Sequence, residues 1–220
     1  MPAMAVGRRA RGVAGAALLA LALAAGSSRA AEGDWGDCFG PDFERRVTGC
    51  SRLIGRSDLT PEERGFAHAN RALAHAMHGH HALALADYDA ALAITPDFPV
   101  ALNNRAWTLF RAGRPEAGRG DVERALVLDP LNPHALDTRA HIRQALGDAA
   151  GAMADYRLAM RMGGERLVAL YQCGLQAARL YEGEIDGVVS VALRRALEVC
   201  VETAGCDPLP ADEECRNATS

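Results

Sequence analysis

The sequence predicts an all-α protein, an α-solenoid in which three helix–turn–helix units stack between N- and C-terminal helical caps. The first observation is an internal repeat, because a shift of the chain by about 34 residues superposes three blocks, 65–97, 99–131 and 133–165. The second is the spacing of apolar and small residues within each block, three or four apart, which indicates one face of an α-helix. The third is a glycine shared by all blocks between two such segments, where one helix ends and the chain reverses.

Several other columns of the repeat agree in every block. The shared glycines are Gly79, Gly113 and Gly147. The further matches are Arg71, Arg105 and Arg139; Ala72, Ala106 and Ala140; Ala84, Gly118 and Ala152; Asp87, Asp121 and Asp155; Tyr88, Val122 and Tyr156; and Ala91, Ala125 and Ala159. Small residues at fixed positions let two antiparallel helices approach closely. We expect Tyr88 and Tyr156 to fill the space between neighbouring pairs.

The starts of several helices carry capping residues. Thr60 is the expected N-cap of the first helix, with Pro61 in the first turn and Glu63 completing a capping box. Asn132 followed by a proline repeats this pattern, and Asp148 can cap the second helix of the third block.

A helical period of this length, with a small, aromatic, small and proline pattern, resembles the tetratricopeptide repeat family. The match covers about residues 63–164, and we place the repeat domain at 62–164. The chain departs from the family at His68, His75 and Arg143, where large residues of another kind are common. The alternative is an ordinary bundle of three helix pairs without the repeat superhelix.

The resemblance implies that the first helix of each pair lines a concave face that binds a peptide or a partner protein. Carried over to this chain, that face consists of Phe66, Asn70, Leu73, Asn103, Asn104, Trp107, Phe110, Asp137, His141 and Gln144. Trp107 and Phe110 would anchor an extended peptide whose backbone pairs with the amides. Packing of Trp107 between helices is the alternative. A carboxylate clamp is not evident because lysine is absent, although Arg105 and Arg111 are available.

Residues 1–30 have the pattern of a secretory signal peptide. Arg8, Arg9 and Arg11 precede an apolar run over 13–26, and small residues at Ser28 and Ala30 suit a signal peptidase. We expect cleavage before residue 31, export to the periplasm or beyond, and no stable membrane insertion afterwards. The alternative, a membrane anchor, needs about 20 apolar residues, more than this run supplies.

The charge of the remaining chain excludes two classes of partner. Residues 1–30 contain four arginines and no acid, so 20 basic and 28 acidic residues remain, a net charge of about −8. An acidic chain without a basic stripe argues against nucleic acid, whose binding needs cations that replace counterions. It also argues against binding an anionic membrane by charge.

All six cysteines lie after residue 30, and an even number in an exported chain indicates disulfides. Cys38 and Cys50 are the expected first pair because no other cysteine lies near them. The remaining four, for which three connectivities stay open, are Cys173, Cys200, Cys206 and Cys215. A structural zinc site is disfavoured because no pair has CxxC spacing.

The repeat register extends backwards into an N-terminal capping segment at 31–61. Counting back one repeat period from Ala84 reaches Cys50, and from Tyr88 it reaches Ile54. We therefore predict a lone second helix over 42–56 that caps the first repeat, with the first disulfide holding the preceding residues against it. End units of repeat arrays need such caps because their outer faces have no neighbour.

The C-terminal segment at 165–203 predicts two helices around a loop, followed by a Cys-containing tail at 204–220. The loop residues are Tyr181, Gly183, Ile185, Asp186 and Gly187. With Tyr171 and Gln172 before the loop, residues 168–201 resemble a small three-helix peptidoglycan-binding module. The resemblance implies an alternative function, docking to peptidoglycan, and Asp186 can cap the helix after the loop.

This second resemblance is partial. Ser190, Val191 and Leu193 stand where the module usually has glycine, proline and threonine, and Arg179 stands where a glycine is common. The other interpretation is that these helices simply cap the third repeat, because a fold does not carry its function with it.

A metal site and an enzyme active site are both disfavoured. His75, His78, His80 and His81 fall within seven residues, but the last two flank a turn and no carboxylate or cysteine completes a set. We therefore predict no metal and no cofactor. The chain also lacks a glycine-rich phosphate loop, a GxSxG elbow and an HExxH helix. We expect a binding protein and not an enzyme.

Overall fold

The computed structural model describes residues 32–209 and Cys215, and these residues contain helices and no strand. Residues 32–39 form a first helical segment, α1. The further helices are α2 (Phe43–Ile54), α3 (Pro61–Met77), α4 (His81–Ile94), α5 (Pro99–Arg111), α6 (Pro115–Leu128), α7 (Pro133–Ala145), α8 (Ala149–Ala177) and α9 (Val191–Glu202). No helix in this part of the chain is long and apolar enough to cross a membrane. The predicted signal peptide at 1–30 lies outside the described residues and stays a prediction.

The helices repeat with the period that the sequence shows. The second helices α4, α6 and α8 begin at His81, Pro115 and Ala149, each one repeat period after the last. Each helix from α2 to α8 packs on the next one, and the first helices α3, α5 and α7 also contact one another in order. This stacking of consecutive pairs confirms the predicted all-α fold with a solenoid arrangement.

The turn within each pair depends on its glycine. Gly79, Gly113 and Gly147 have φ angles of +73°, +74° and +83°. In this left-handed region a residue with a Cβ atom costs about 1–2 kcal/mol. The shared glycine column is therefore a requirement of the backbone at the point where the chain reverses.

The expected helix caps are present. Thr60 and Glu63 form a reciprocal capping box at the start of α3. Asn132 accepts hydrogen bonds from the first turn of α7, and Asp148 accepts one from the Gly151 N–H in α8. These bonds satisfy backbone donors that would otherwise lack a partner.

Small residues and two tyrosines fill the space within and between the pairs. A Cβ atom added to Gly118 would lie 2.8 Å from the Ala106 carbonyl oxygen, so α5 and α6 approach too closely for a larger residue there. Tyr88 and Tyr156 are fully buried in the main core, as expected.

The same ion pair joins the two helices of every unit. Arg71, Arg105 and Arg139 on the first helices each donate two hydrogen bonds, of 2.6–2.8 Å, to an aspartate 16 residues later on the second helix. The aspartates are Asp87, Asp121 and Asp155. The sequence shows both columns, but the pairing itself is visible only in the structure.

Two departures from the repeat pattern are explained by these aspartates. His68 lies 2.8 Å from the Asp87 carboxylate, and Arg143 donates a further 2.7 Å hydrogen bond to Asp155. Burial raises the pKa of Asp87, but the bonds from His68 and Arg71 outweigh it and hold that pKa below its ordinary value. Polar residues replace large ones here because they complete a half-buried charge network.

The N-terminal cap contains the predicted disulfide and a helix at the predicted place, but α2 is not alone, because the helical segment α1 precedes it. Cys38 and Cys50 form a disulfide that ties α1 to α2. With Leu53 and Ala67 they make a small buried cluster, so α2 covers the outer side of α3. A Cβ atom on Gly49 would lie 2.8 Å from the Cys38 nitrogen, which shows how closely the two segments approach.

The C-terminal cap begins inside α8. Gly164 has non-helical backbone angles, with φ 66° and ψ −166°, so α8 is two helices that meet at a kink. The second half of α8 and α9 flank the predicted loop, and α9 packs on α8. Disulfides join Cys173 to Cys215 and Cys200 to Cys206, which selects one of the three connectivities left open.

Candidate partner-binding face

The helices α3, α5 and α7 line one side of the stack, which we call the first-helix face. Leu73, Trp107 and His141 occupy the same repeat position on these three helices. The Trp107 ring lies 5.2 Å from the Phe110 ring and 5.1 Å from the His141 ring, measured between centroids. The expected binding residues are therefore neighbours, but the two ends of the face differ.

A cavity of about 410 Å³ opens at the α3 and α5 end. Leu73, Met77, Asn104, Trp107 and Arg111 line it from the two helices. Two C-terminal residues, Leu209 and Cys215, and one residue of α8, Leu170, complete the wall. We call this end of the face the open half.

The remaining expected residues of the open half are accessible to different degrees. Phe66 is 48% exposed and packs against the Phe98 ring at 5.1 Å. The half-exposed or half-buried residues are Asn70, Leu73, Asn103, Asn104, Trp107 and Phe110. Both interpretations of Trp107, an accessible anchor and a packed side chain, therefore apply in part, because its ring packs on neighbouring rings and also lines the cavity.

Two buried polar atoms near the cavity have no hydrogen-bond partner among the described residues. They are the Tyr88 hydroxyl and the Nδ1 atom of His81, and both residues line the cavity. Burial raises the pKa of the Tyr88 phenol well above its ordinary value, and the neighbouring Asn104 side chain offsets only part of this. Unpaired buried groups cost about 1–3 kcal/mol each, and a bound ligand that supplied a partner would recover part of this cost.

The α7 end of the face is covered by the chain itself, and we call it the covered half. Asp137 and His141 were expected on an open surface but are only 7% and 2% exposed. The His141 Nε2 atom lies 3.0 Å from an Asp207 carboxylate oxygen. The Gln144 amide donates to the carbonyl oxygens of Cys206 and Cys200 at 2.8 and 3.3 Å. The expectation of an open surface is therefore corrected for Asp137 and His141, whereas Gln144 is half-buried and lines, with the edge of His141, a cavity of about 740 Å³ beside the segment after α9.

A buried polar network lies beneath this cover. Tyr171 donates a short hydrogen bond to Asp137, and Tyr156 donates one of 2.8 Å to Gln144. Burial lowers the pKa of His141, but Asp137 and the Asp207 carboxylate outweigh burial and raise it above its ordinary value. Burial raises the pKa of the Asp137 carboxyl.

The sequence did not single out Asp207, Leu209 or Tyr171 as parts of this face. Asp207 is separated from His141 by 66 residues, and no local pattern links the two. The sequence offered Arg111 only as a possible partner for a carboxylate, and in the structure its side chain contacts both halves of the face. Its guanidinium lies 5.8 Å from the Trp107 ring centroid and 3.3 Å from Asp207.

The loop of the C-terminal segment is held by internal hydrogen bonds. Gln172 donates to Asp186 at 2.7 Å and accepts from the Gly187 N–H at 2.8 Å. Gly187 has φ +72°, and a Cβ atom there would lie 2.7 Å from the Glu165 carbonyl oxygen. Tyr181 is buried, and Ile185 and Gly183 are half-buried.

Two details of this loop differ from the prediction or extend it. Asp186 accepts from the Val188 N–H within the loop, whereas Ser190 is the N-cap of α9. Asp186 therefore organises the loop and does not cap the helix. Arg179 has φ 59°, so it adopts the left-handed conformation for which a glycine is usual.

The histidines around the first turn surround an aromatic ring of the N-terminal cap. The Phe43 ring centroid lies 3.9 Å from that of His78, 5.8 Å from that of His80 and 6.0 Å from that of His75. Within residues 32–209 and Cys215, no group of three metal-ligating side chains gathers here or elsewhere. The contacts instead pack α2 against the end of α3.

The fold and the face define a class, an all-α protein of stacked helix pairs with a three-disulfide frame and an accessible aromatic cavity. Among known proteins, no family model matches the chain and no curated protein matches its sequence.

Proposed function

We propose that the chain is a tetratricopeptide-type scaffold that binds a peptide segment of a partner protein on its first-helix face. The observation that carries this proposal is the cavity of about 410 Å³ beside Trp107 in the open half. Large aromatic side chains at the edge of a cavity are frequent anchors of protein interfaces. A peptide side chain that fills the cavity would bury apolar surface on both partners.

The polar groups near the cavity suit the backbone of such a peptide. Asn104 and His81 line the cavity, and the Nδ1 atom of His81 has no hydrogen-bond partner among the described residues. A peptide backbone offers donors and acceptors that can satisfy groups of this kind. Apolar anchors with a few placed polar groups are the usual composition of a binding site.

Binding is favoured over catalysis by the position of the most reactive cluster. His141 lies between Asp137 and Asp207, an arrangement that could move a proton. The His141 ring is 2% exposed and contacts the chain's own aspartates, so only a small part of it reaches the neighbouring cavity of about 740 Å³. This supports a structural role for the cluster.

The compartment follows from the disulfides. Three disulfides indicate an oxidising environment, which is where such bonds form and persist. Export to the periplasm or beyond, through a signal peptide at 1–30, is the finer proposal.

Docking to peptidoglycan through residues 168–201 stays the alternative prediction. The polar groups of the loop are used internally, by Gln172 in particular, and this gives glycan binding less support than the cavity gives peptide binding. Sedimentation of the full chain with purified peptidoglycan separates the two. Retention of the chain with the pellet would favour the alternative.

The proposal can be tested by site-specific photo-crosslinking in cells. A photoreactive residue at Leu73, in the cavity wall, should capture a partner. The same residue at Leu83, which is 55% exposed on α4, is the control and should capture none. Trp107→Ala should weaken capture at Leu73 about 30-fold, the effect of a loss of about 2 kcal/mol at an interface anchor. Equal capture at both sites, or capture unaffected by Trp107→Ala with helicity unchanged, would contradict the proposal.

A further inference from the structure

The covered half of the first-helix face already holds a short non-helical segment of the chain. We call residues 206–209, with the sequence Cys-Asp-Pro-Leu, the strap. Gln144 donates to the Cys206 carbonyl oxygen at 2.8 Å. Arg111 and His141 lie 3.3 and 3.0 Å from the two carboxylate oxygens of Asp207.

The strap presents its acidic and apolar groups in a defined turn. The Asp207 carboxylate accepts the Leu209 N–H at 2.9 Å, which closes an Asx turn. Pro208 is buried in the bend. Leu209 then lines the same cavity as Leu73 and Trp107. The carboxylate and the apolar side chain two residues later therefore meet adjacent parts of one face.

The contacts that hold the strap are of the kinds by which proteins bind peptides, to the backbone, to a charged side chain and to an apolar side chain. One amide binds the backbone, a guanidinium and an imidazole bind the carboxylate, and the apolar side chain forms part of the wall of the cavity. Charge-assisted hydrogen bonds are directional and stronger than neutral ones, so they select an acid at this position. A cover that served only to bury apolar surface would not need three polar side chains from α5 and α7.

We propose that the first-helix face recognises a turn-forming segment in which a carboxylate precedes an apolar side chain by two residues, and that the strap is its resident occupant. This inference rests on the proposed partner-binding role of the face and narrows the partner to an acidic and apolar peptide segment. A partner segment of this chemistry binds by displacing the strap.

The tethering of the strap sets the strength of this competition. The Cys200–Cys206 bridge spans 6 residues, and the Cys173–Cys215 bridge anchors the chain beyond the strap. A short tether gives its ligand an effective concentration in roughly the millimolar range. A free peptide of the same sequence therefore competes poorly until the anchors of the strap are removed.

The test uses a fluorescent synthetic peptide of residues 204–209 that carries Cys206→Ser, with binding to the full chain followed by fluorescence anisotropy. The protein variant Asp207→Ala/Leu209→Ala removes both anchors of the strap and leaves its disulfides in place. We expect this variant to bind the peptide at least ten-fold more tightly than the unchanged chain. The same peptide carrying Asp207→Asn should bind the variant at least ten-fold more weakly.

Matched variants identify the side chains that bind the peptide. Adding Arg111→Gln to the double variant should abolish peptide binding, whereas Arg114→Gln, at an exposed arginine three residues away, should leave it unchanged. If the double variant loses helicity, Asp207→Asn alone serves as the vacated form, with an expected gain of about three-fold over the unchanged chain.

Two results would overturn the inference. One is equal binding of the peptide by the unchanged chain and by the vacated form. The other is equal affinity for the peptides with and without the carboxylate. The photo-crosslinking at Leu73 is independent of both. If Leu73 captures a partner but the peptides with and without the carboxylate bind equally well, the proposed partner-binding role of the face stands. Only the proposed chemistry of the peptide is then wrong.

Discussion

The open and covered halves of the first-helix face occupy equivalent repeat positions but have different surroundings. Trp107 on α5 and His141 on α7 are one repeat period apart and hold the same place in their units. Trp107 is half-buried beside a cavity, whereas His141 is 2% exposed beneath the strap. The difference arises outside the repeats, in a segment that follows α9.

This comparison shows that the repeat register and accessibility are separate properties. The register decides which side chains lie on the face, while the non-repeated caps decide which of them a partner can reach. The side chains agree with this division. Phe110 in the open half is apolar, and its equivalent Gln144 is polar because it bonds to the strap backbone.

The greatest loss of stability is expected when the disulfide that anchors the chain beyond the strap is removed. Cys173→Ala/Cys215→Ala should lower the free energy of unfolding by about 4 kcal/mol, because this bridge links residues 42 apart. Cys38→Ala/Cys50→Ala, whose partners are 12 apart, should lower it by about 3 kcal/mol. Urea denaturation measures both, and hydrogen exchange at Leu209 should rise only in the first variant. A larger loss from the N-terminal pair, or unchanged exchange at Leu209, would refute this ranking.

A smaller effect should distinguish the ion pairs in the two halves. Asp155, with a side chain 5% exposed, is bound by Arg139 and Arg143. Asp155→Ala leaves Arg139 without an aspartate and Arg143 with only the 3.7 Å contact to Asp148, and it should cost about 3 kcal/mol. Asp121 is 16% exposed, and its partner Arg105 keeps a second aspartate, Asp89. Asp121→Ala should therefore cost about 1.5 kcal/mol. Urea denaturation of the two variants checks the order, which equal losses would contradict.

The smallest effect is a pH dependence confined to the covered half. Asp137 and Asp207 outweigh burial and raise the pKa of His141, so the folded state binds this proton more tightly than the unfolded state. The resulting stabilisation is fully present below about pH 6.5 and is lost as pH rises through the folded pKa. The raised pKa of Asp137 acts in the same direction. The midpoint of thermal unfolding should therefore fall as pH rises above about 6.5.

His141→Gln tests the origin of this slope. The substitution removes the titrating ring and should flatten the pH dependence of thermal unfolding. His80→Gln, at an exposed histidine in the first turn, is the control and should keep the slope of the unchanged chain. The same slope in both variants would show that His141 is not its source.

Much of the fold could be predicted because it depends on residues close together in the chain. The turn at Gly79, the capping box of Thr60 and Glu63, and the bridge from Cys38 to Cys50 each lie within a short segment. The positions of the face followed from the repeat register. Their exposure could not be predicted, because it depends on a strap that contacts His141 across 66 residues of sequence.

The repeated arginine and aspartate positions show the difference between features that the sequence predicts and features that need the structure. Both columns are visible in the sequence, with Arg105 and Asp121 separated by 16 residues. Their pairing requires the packing of one helix on another, which the spacing alone does not specify. The departures at His68 and Arg143 had no explanation until the structure placed them on the same aspartates.

The helix pairs, their period, their capping residues and the first disulfide can be predicted from the amino-acid sequence, because local backbone preferences and the apolar periodicity set these features. The pairing of the last four cysteines and the division of the first-helix face into open and covered halves become visible in the folded protein alone. Those features depend on contacts between segments far apart in the chain, and such contacts form only when the packed helices bring the segments together.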